Sequence, residues 1–258
     1  RYGENPHQRA ALYREYAPPV GPAVCFAKVL QGKELSYNNL LDLDAALRLV
    51  LEFPERSCAV VVKHNTPCGV ALGDDLSRAY RAARAVDEVS AFGGVIALNR
   101  EVDEAAAHVV AETFIEAVIA PRFAQRALEV LGAKKSLRLL EAGEAMAEGW
   151  VESKALEVRS ITGGLLVQEA DTVEHQSEWR AVTKRAPTPS EVAGLKLAWR
   201  VCKHVKSNAI VFASSEILLA VGGGQTSRVE SVRIAAARGA GRLAGSAVAS
   251  DAFFPFRD

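Results

Sequence analysis

Short apolar runs alternate along the chain with longer segments in which apolar residues recur every three or four positions. Three of these runs have the length of buried strands: Ala59–Val62, Val95–Leu98 and the segment IEAVIAP. Their near-continuous apolar character predicts burial on both faces, as in a parallel sheet. The amphipathic segments between them predict helices, and the regular alternation of the two element types predicts an α/β protein.

The first half contains the better-defined helix signals. Residues at helical spacing follow Asn38 and Asn39, either of which is a suitable N-cap for the first helix. Further helices are predicted at about Leu76–Ala85, at VDEAAAHVVAETF with two acidic residues in its first turn, and at Phe123–Leu131. Additional strands are predicted near Val24–Leu30 and at KKSLRLLEA.

The second half repeats the order of strand, loop and helix. The clearest helix start of the chain lies in TPSEVAGLKLAWRVCKHV, where Thr188 or Ser190 can cap the helix and Pro189 fits its first turn. ITGGLLVQEAD predicts a strand with a glycine turn, AIVFAS and ILLAVGGG predict a strand pair, and TSRVESVRIAAARGA predicts a helix. We therefore place the boundary between the two halves of the chain near residues 175–185, although the sequence shows no repeat of fixed period.

In the stretch CAVVVKHNTPCGV, a predicted buried strand is followed directly by Lys63, His64 and Asn65. The next four residues, Thr66-Pro67-Cys68-Gly69, are the expected turn. Ligands of α/β sheets gather beyond the carboxyl ends of strands. Other polar clusters follow apolar runs or lie in glycine-rich loops: Ser90-Ala91-Phe92-Gly93-Gly94, Glu116, Lys206-Ser207-Asn208 and GGGQTSR ending at Arg228. We therefore expect the functional site among these segments.

His64 is the natural proton carrier of this set, because an imidazole with an ordinary pKa near 6.5 can accept and donate protons at neutral pH. The adjacent Lys63 would favour the neutral imidazole that a general base needs, and its ammonium could stabilise an oxyanion. The residues alone also allow a surface Lys-His dipeptide or a histidine satisfied by backbone, so both interpretations stay open at this point.

Three other segments also have two interpretations. GGGQTSR can present backbone N–H groups and a helix start to an anion, but it matches neither the Walker nor the dinucleotide pattern and can be a simple turn. Asn208 can be a turn residue at the start of a strand. FFPF is typical of a core, although Pro255 favours an irregular loop that offers a ring for stacking.

Composition excludes some partners. The 258 residues carry 31 basic and 31 acidic side chains, so no overall field attracts nucleic acid or an anionic membrane. No apolar run approaches the roughly 20 residues that a membrane-spanning helix requires. The four cysteines are dispersed without a C-x-x-C pair, which argues against a zinc ribbon and favours a reducing cytoplasm. Cys68 is interpreted as a packing residue rather than a nucleophile.

Several long motifs in fixed order resemble one enzyme family across essentially the whole chain: RYGENPHQ, LSYNNLLDLDAA, VVKHNTPCGVA, VSAFGGVIALNR, IEAVIAP, WRVCKHVKSNAIV, GGGQTSRVESVRIA and SDAFFPFRD. They resemble the transformylase domain of the bifunctional purine-biosynthesis enzyme, AICAR transformylase/IMP cyclohydrolase. The resemblance implies transfer of a formyl group from 10-formyltetrahydrofolate to the 5-amino group of aminoimidazole carboxamide ribonucleotide (AICAR), within the biosynthesis of inosinate.

The same resemblance implies an architecture of two cytidine-deaminase-like α/β/α units, at residues 1–180 and 181–258, and a homodimer with active sites at its interface. The deaminase zinc signature H-x-E with P-C-x-x-C is missing, because Pro67-Cys68 lacks a second cysteine at the required spacing. A zinc-free variant is therefore expected. We also expect the N-terminal IMP cyclohydrolase domain to be absent and the second unit to be incomplete at its C-terminal end.

Site residues follow from the resemblance position by position. His64 is the expected proton acceptor and Lys63 the expected transition-state stabiliser. The expected nucleotide ligands are Arg1, Tyr2, Asn39, Gly93, Glu116, Asn208, Arg228 and Phe253. At Glu116 the resemblance leads us to expect Asp, so the hydrogen-bond geometry of this carboxylate differs by one methylene. Val229 and Asp258 match folate-side positions, and a potassium ion is a weaker expectation near Val201, Ser207 and Asp251.

Two alternatives remain open. A deaminase-like hydrolase would contain stoichiometric zinc, and a non-catalytic nucleotide-binding domain would bind the ribonucleotide without forming tetrahydrofolate. Metal analysis discriminates the first alternative, and a formyl-transfer assay discriminates the second.

Overall fold

The computed structural model describes residues 2–17, 20–149, 156–171 and 179–254. Within this part the α-helices are α1 (Tyr37–Val50), α2 (Leu76–Val86), α3 (Glu88–Ala91), α4 (Glu104–Ala111), α5 (Gln125–Leu131), α6 (Pro189–Lys203) and α7 (Arg228–Arg238). The strands are β1 (Lys28–Gln31), β2 (Ser57–Lys63), β3 (Thr66–Gly73), β4 (Val95–Leu98), β5 (Ala117–Ala120), β6 (Arg138–Glu141), β7 (Leu156–Ile161), β8 (Gly164–Glu169), β9 (Ile210–Ala213), β10 (Leu218–Gly222) and β11 (Ala247–Ser250).

The larger sheet is mixed and has the strand order β1-β6-β5-β4-β2-β3. β4, β5 and β6 are mutually parallel, whereas β2 is antiparallel to both of its neighbours, β3 and β4. The α/β class is confirmed, but the expectation of parallel neighbours around β2 is wrong. Burial on both faces removes the polar alternation of a strand whichever way its neighbours run, so the apolar run could not report direction.

Alternate residues of β2 belong to different hydrophobic clusters, which explains its continuous apolar character. Cys58, Val60 and Val62 pack into a cluster that contains residues of α1 and α6. Ala59 and Val61 pack into a cluster that contains residues of α2, α4 and α5 on the other face. The period of two along a strand sends successive side chains to opposite faces, so a helix layer on each side leaves no solvent-facing position.

The smaller sheet has the order β10-β9-β11 and is antiparallel throughout. It continues the larger sheet at the edge strand β3, through an antiparallel bridge between Ala71 and Ile217 and a 2.8 Å hydrogen bond from the Leu72 N–H to the Glu216 carbonyl. α6 packs on β9 and β11, while α7 packs on β9 and β10. Two sheets thus meet edge to edge, and α1 and α6 contribute to one shared core.

A cluster of charged groups also joins the two halves. Glu52, which follows α1, accepts hydrogen bonds from Lys203 Nζ at 2.8 Å and from His204 Nε2 at 2.9 Å. Glu52 is 7% exposed, so it is a buried carboxylate held by two cationic or polar partners. Burial alone would raise the pKa of Glu52, but the His204 and Lys203 interactions outweigh it and lower the pKa below the ordinary value.

Three element predictions need correction. TPCGVALG forms the strand β3, so Thr66-Pro67-Cys68-Gly69 is not the expected turn. The N-cap of α1 is Ser36, and Asn39 is the third helical residue, whose side chain completes a capping box with the Ser36 N–H. The first predicted strand is shorter than expected, because Val24–Phe26 forms a 3-10 turn before β1. Thr188 caps α6 and Pro189 occupies its first turn, as predicted.

The hairpin β7–β8 exposes several apolar side chains. Its register pairs Val158 with Val167 and Ser160 with Leu165, which puts Leu156, Val158, Leu165 and Val167 on one face. All four of these side chains are more than half exposed. Glu157, on the opposite face, is paired with Arg48 of α1. The face with Glu157 therefore contacts the body of the chain at Arg48, although its Ile161 and Leu166 are also about half exposed, and the other face is exposed along its length.

Candidate functional site

The turn between β2 and β3 consists of His64 and Asn65 alone. Lys63 pairs with Thr66, and the two residues between them have φ angles of 50° and 58°. Positive φ at both central positions is the geometry of a type I′ hairpin turn, in which asparagine is well tolerated and histidine occurs less often. His64 is exposed at the tip of this tight turn. Its backbone is therefore fixed by the hairpin while its imidazole is free to meet a ligand.

The Lys63 ammonium is anchored on the loop before β4. Lys63 Nζ donates to the Gly93 carbonyl at 2.8 Å and lies 3.4 Å from the Phe92 carbonyl. Gly93 has a φ of 66°, and a Cβ on it would come within 3.3 Å of Lys63 Nζ. An ammonium has three N–H donors, so two backbone contacts leave one donor for a ligand. The sequence predicted both residues as site residues, and the structure brings them into direct contact.

The polar clusters meet at the amino ends of the parallel strands, not at their carboxyl ends. Because β2 is antiparallel to β4, the end of β2 lies beside the start of β4, where Val62 pairs with Val95. The starts of β5 and β6 follow in the same row. The expectation drawn from carboxyl ends is thus wrong for these strands. The site residues still converge, because β2 runs opposite to β4 and its carboxyl end therefore lies at this edge.

Glu116 precedes β5 at this edge and forms an ion pair with Arg138. Arg138 Nη1 donates to Glu116 Oε2 at 2.6 Å, and the Arg138 guanidinium also donates to the Glu34 carbonyl at 3.3 Å. Arg138 is buried, whereas the Glu116 side chain is 35% exposed at this edge. Sequence reasoning found Glu116 but missed Arg138, because an arginine inside the predicted strand KKSLRLLEA carries no sign of its partner.

A basic groove of about 450 Å³ adjoins this edge. It is lined by Phe114, Ser136 and three lysines, Lys33, Lys134 and Lys135. Lys134 Nζ donates to the Thr113 carbonyl at 2.8 Å, whereas Lys33 and Lys135 are exposed. The sequence analysis missed these lysines as site residues. The doubled lysine just before a predicted strand was the available signal, but Lys33 joins them only through the pairing of β1 with β6.

The first turns of α1 approach the His64–Asn65 turn. Asn39 is buried, and its Oδ1 accepts from the Ser36 N–H at 3.1 Å. One turn further along, Asp42 Oδ1 accepts from the Asn65 N–H at 2.7 Å. Burial raises the pKa of Asp42 above its ordinary value, although the Asn65 N–H and the neighbouring His64 oppose that shift. α1 therefore carries a predicted ligand, Asn39, and a direct contact to the turn.

The second half contributes a cluster at Asn208 and Arg228. Arg228 Nη2 donates to Asn208 Oδ1 at 2.5 Å, and its Nη1 donates to Ser250 Oγ at 2.8 Å and to Asp251. Asn208 Nδ2 in turn donates to the Gln225 carbonyl at 2.8 Å. Two predicted nucleotide ligands thus form one network with the glycine-rich loop. Val229 follows Arg228 in the first turn of α7.

Both clusters lie at the same end of the joined sheets. Ala71 of β3 faces Ile217 in antiparallel register, so the start of β3 at Thr66 corresponds to the end of β10 at Gly222. The His64–Asn65 turn and the loop after Gly222 consequently occupy one edge of the molecule. Residues from distant parts of the chain that were predicted as one site therefore share that edge.

The proposed potassium ligands fit a cation poorly. Asp251 Oδ1 already accepts from Arg228 and from the Ala209 N–H at 2.9 Å, and Val201 could offer only its carbonyl, which accepts from the His204 N–H at 3.0 Å. Burial alone would raise the pKa of Asp251, but hydrogen bonds from Ser207, Arg228 and the Ala209 N–H lower it. Within the described ranges, no group of three or more His, Cys, Asp or Glu side chains is arranged to hold a metal ion.

The remaining predicted residues lie at the margins. Tyr2 is partly exposed and forms a bridge with Arg9, in an N-terminal loop whose Glu4 carbonyl accepts from Asn38 at 3.4 Å. Phe253 is 80% exposed. Arg1 and Asp258 lie outside the described residues. No helix of the described part is both long enough and apolar enough to cross a bilayer.

Cys68 has the properties of a packing residue. Its side chain is partly buried beside the core of α2, and Sγ lies 3.5 Å from the Val61 carbonyl. Burial raises the pKa of the Cys68 thiol to about 12, and the nearby Asp87 adds to the shift. A thiol with such a pKa is protonated at neutral pH and is a poor nucleophile. The burial of Cys68 and its raised pKa agree with the packing role predicted from the sequence.

Comparison with known proteins identifies relatives along the whole chain. The family model described as AICARFT/IMPCHase bienzyme matches residues 1–238. The protein named bifunctional purine biosynthesis protein PurH from Myxococcus xanthus (strain DK1622) is 66% identical over 259 aligned positions, covering all of this chain and 50% of that protein. PurH of Anaeromyxobacter sp. (strain Fw109-5) is 56% identical, and PurH of Sorangium cellulosum (strain So ce56) is 54% identical, each over all of this chain.

The chain spans about half the length of the curated relatives it matches. Among solved structures, Acinetobacter baumannii RibD, form 2, aligns with 42% of this chain and 37% of that chain at a TM-score of 0.30 and 15% sequence identity. A likeness of that size supports no structural or functional argument.

Proposed function

Since the chain belongs to the AICARFT/IMPCHase bienzyme family, we propose that it catalyses transfer of the formyl group from 10-formyltetrahydrofolate to the 5-amino group of AICAR. The observation that carries this proposal is the contact between Lys63 and Gly93 beside the exposed His64. It supplies a potential base and a potential oxyanion donor on one rigid turn, which is what acyl transfer to a weak amine requires.

His64 acts as the general base in this proposal. The substrate amine is a poor nucleophile because the ring and the neighbouring carboxamide withdraw its lone pair. As the amine nitrogen bonds to the formyl carbon, its proton passes to the imidazole of His64. The tetrahedral intermediate then collapses, the bond from the formyl carbon to the folate nitrogen breaks, and that nitrogen takes the proton from the His64 imidazolium, which restores the neutral base. A positioned base contributes a factor of about 10²–10⁴ to such a step.

Lys63 stabilises the oxyanion that forms when the carbonyl carbon becomes tetrahedral. Two backbone carbonyls, those of Gly93 and Phe92, hold the ammonium in place before substrate arrives. A donor that is already oriented needs no reorganisation during the reaction, which is the main advantage of an oxyanion site.

The nucleotide would be bound by Arg1, Tyr2, Asn39, Gly93, Glu116, Asn208, Arg228 and Phe253. Arg138 donates to the Oε2 atom and to the backbone carbonyl of Glu116, which leaves the Oε1 atom of the carboxylate to accept from an amine or hydroxyl group of the nucleotide. The basic groove of Lys33, Lys134 and Lys135 has the charge that a dianionic phosphate needs. Val229 and Asp258 would contact the folate, and a potassium ion takes part in no step.

We also propose that the chain is built from two cytidine-deaminase-like units and works as a homodimer. In the larger sheet, α1 packs on one face and α2, α4 and α5 pack on the other. In the smaller sheet, α6 and α7 pack on opposite faces. This layering of helix, sheet and helix supports the two cytidine-deaminase-like units. The outward apolar face of β7–β8 supports the homodimer, because an isolated two-stranded hairpin is only marginally stable and a second copy would cover this face. Replacing Leu165 and Val167 together by Ser should convert a dimer to a monomer in analytical ultracentrifugation.

The test of the reaction is a direct assay. AICAR and 10-formyltetrahydrofolate are mixed with the full-length protein, and formation of tetrahydrofolate is followed by absorbance. His64→Ala should lower kcat by about 10²–10⁴-fold while the Kd of AICAR, measured by calorimetry, changes little. Absence of tetrahydrofolate with the unmodified protein would refute the reaction. Unchanged turnover in His64→Ala would refute the role of His64 alone.

A matched control comes from another exposed histidine. His108 lies on α4, is exposed, and has Glu104 one helical turn away. His108→Ala should leave kcat and the Kd of AICAR unchanged, because the exposed His108 side chain pairs with Glu104 and with none of the residues assigned to the site.

A further inference from the structure

The backbone N–H groups of the tight His64–Asn65 turn need an acceptor, and α1 supplies one. Asp42 Oδ1 accepts from the Asn65 N–H at 2.7 Å, and the His64 N–H lies close enough to stabilise the charged carboxylate. A two-residue loop cannot satisfy both of these groups from within the hairpin. The carboxylate of Asp42 therefore acts as an external acceptor for the turn.

The Asn65 side chain adds to the same attachment. The Asn65 amide is assigned in the orientation that satisfies its hydrogen-bonding neighbours. In that orientation its nitrogen donates to the Leu41 carbonyl at 3.2 Å and to Asp42 Oδ1 at 3.1 Å. The backbone and the side chain of one turn residue are thus both tied to consecutive residues of α1. Lys63 anchors the start of the turn on the loop before β4.

The position of Asp42 on α1 links this attachment to a predicted ligand. Asn39 and Asp42 are three residues apart and lie on the same face of the helix. The start of α1 is itself fixed by the capping box between Ser36 and Asn39. A rigid helix end thus contacts the turn at one residue and contributes Asn39 one turn earlier.

We propose that Asp42 is a positioning residue for the reaction: its carboxylate oxygen, by accepting from the Asn65 N–H, holds His64 where it can reach the substrate amine. This inference rests on the proposed function. Asp42 itself touches no reacting atom. A base displaced by about 1 Å can lose on the order of 10²-fold in rate, so the loss of such an attachment should appear in kcat rather than in KM.

Two substitutions separate the position of the acceptor from its charge. Asp42→Asn keeps an oxygen acceptor in the same place and removes the charge. Asp42→Glu keeps the charge and moves the acceptor by one methylene. If Asp42 positions the turn, Asp42→Asn should retain kcat within about threefold and Asp42→Glu should lose about 10- to 100-fold, with the KM for AICAR nearly constant in both.

Asp42→Ala removes both properties and should resemble Asp42→Glu in kcat. Asp44→Ala is the matched control, because Asp44 lies on the same helix and its charged neighbours are Arg48 and Glu157 rather than residues of the turn. It should keep the kcat and KM of the unmodified protein. If Asp42→Ala fails to fold, the comparison of Asp42→Asn with Asp42→Glu still decides the question.

The contrary outcomes are distinct. A larger loss of kcat in Asp42→Asn than in Asp42→Glu would mean that the charge of Asp42 matters and its position does not. Unchanged kcat in all three variants would refute any role of Asp42 in the reaction. Hydrogen exchange of the Asn65 amide separates this inference from the reaction itself. It should be faster in Asp42→Glu than in Asp42→Asn even if the unmodified protein forms no tetrahydrofolate, and equal exchange rates would overturn the attachment.

Discussion

Gly93 offers a direct way to move the Lys63 ammonium without altering the lysine. Its φ of 66° lies in the left-handed region, and its carbonyl accepts from Lys63 Nζ at 2.8 Å. A Cβ added at this position would meet Lys63 Nζ at 3.3 Å and Phe114 Cε1 at 3.4 Å. Gly93→Ala therefore strains the backbone and pushes on the ammonium at the same time.

The expected magnitudes follow from these two effects. An alanine in left-handed conformation costs about 1–2 kcal/mol, which should appear as a loss in the free energy of unfolding. The ammonium must give by only a few tenths of an ångström. Because a displacement of about 1 Å costs on the order of 10²-fold, we expect kcat for formyl transfer to fall by about 3- to 30-fold.

Gly143→Ala separates strain from crowding. Gly143 also has a positive φ, of 90°, but a Cβ there meets nothing within 4 Å. Gly143→Ala should lose at least as much free energy of unfolding in urea titrations, because a ψ of 164° at this φ is essentially restricted to glycine, while its kcat stays unchanged. If Gly93→Ala keeps the kcat of the unmodified protein, the contact between Lys63 and Gly93 does not govern the reaction and the reasoning fails.

Three further predictions test other parts of the structure. Lys63→Met should lower kcat by about 10²–10³-fold, the loss typical of one oxyanion donor, with tetrahydrofolate absorbance as the measurement. Gly69→Ala should lower the free energy of unfolding by at least about 2 kcal/mol in urea, because the new Cβ would lie 2.1 Å from the Ala83 carbonyl oxygen. Glu52, whose pKa is lowered in the fold, should stabilise the protein above its unfolded-state pKa of about 4.3 and lose that contribution as the pH falls further. The free energy of unfolding of Glu52→Gln should therefore decrease less steeply between about pH 5 and pH 3 than that of the unmodified protein.

Each of these has a control or a contrary result. Lys28 is exposed on the edge strand β1, so Lys28→Met should keep full turnover, and a loss below tenfold in Lys63→Met would argue against an oxyanion role. Equal acid sensitivity of the unmodified protein and Glu52→Gln would contradict the pKa shift. A change below about 1 kcal/mol in Gly69→Ala would mean that β3 and α2 can separate at little cost.

Helix and strand types were largely predictable, because burial and periodicity are properties of neighbouring residues. Val95–Leu98 was predicted to the residue, and α6 was predicted from its Thr188 and Pro189 start signals. β3 was missed because Pro67 and Gly69 are typical of turns. Its proline is accommodated beside a register shift between Val61 and Val62, and its glycine is required by the close approach of Ala83.

The candidate site was predictable in its motifs but not in its contacts. His64, Lys63, Gly93 and Glu116 were proposed from motifs, and the structure shows Lys63 bound to the Gly93 carbonyl. Arg138 and Asp42 were not proposed, since an arginine in a strand and an aspartate in a helix have no local sign of a distant partner. The lysines of the basic groove come from segments about a hundred positions apart in the chain.

The sequence by itself determined the α/β class, the family and the residues with chemical potential, because these depend on local patterning and on motifs. Only the tertiary structure decided that β2 runs antiparallel to β4, and this reversal is what brings Lys63 to the amino ends of the parallel strands. Strand direction depends on hydrogen bonds between distant segments, and a strand buried on both faces has the same apolar pattern in either direction.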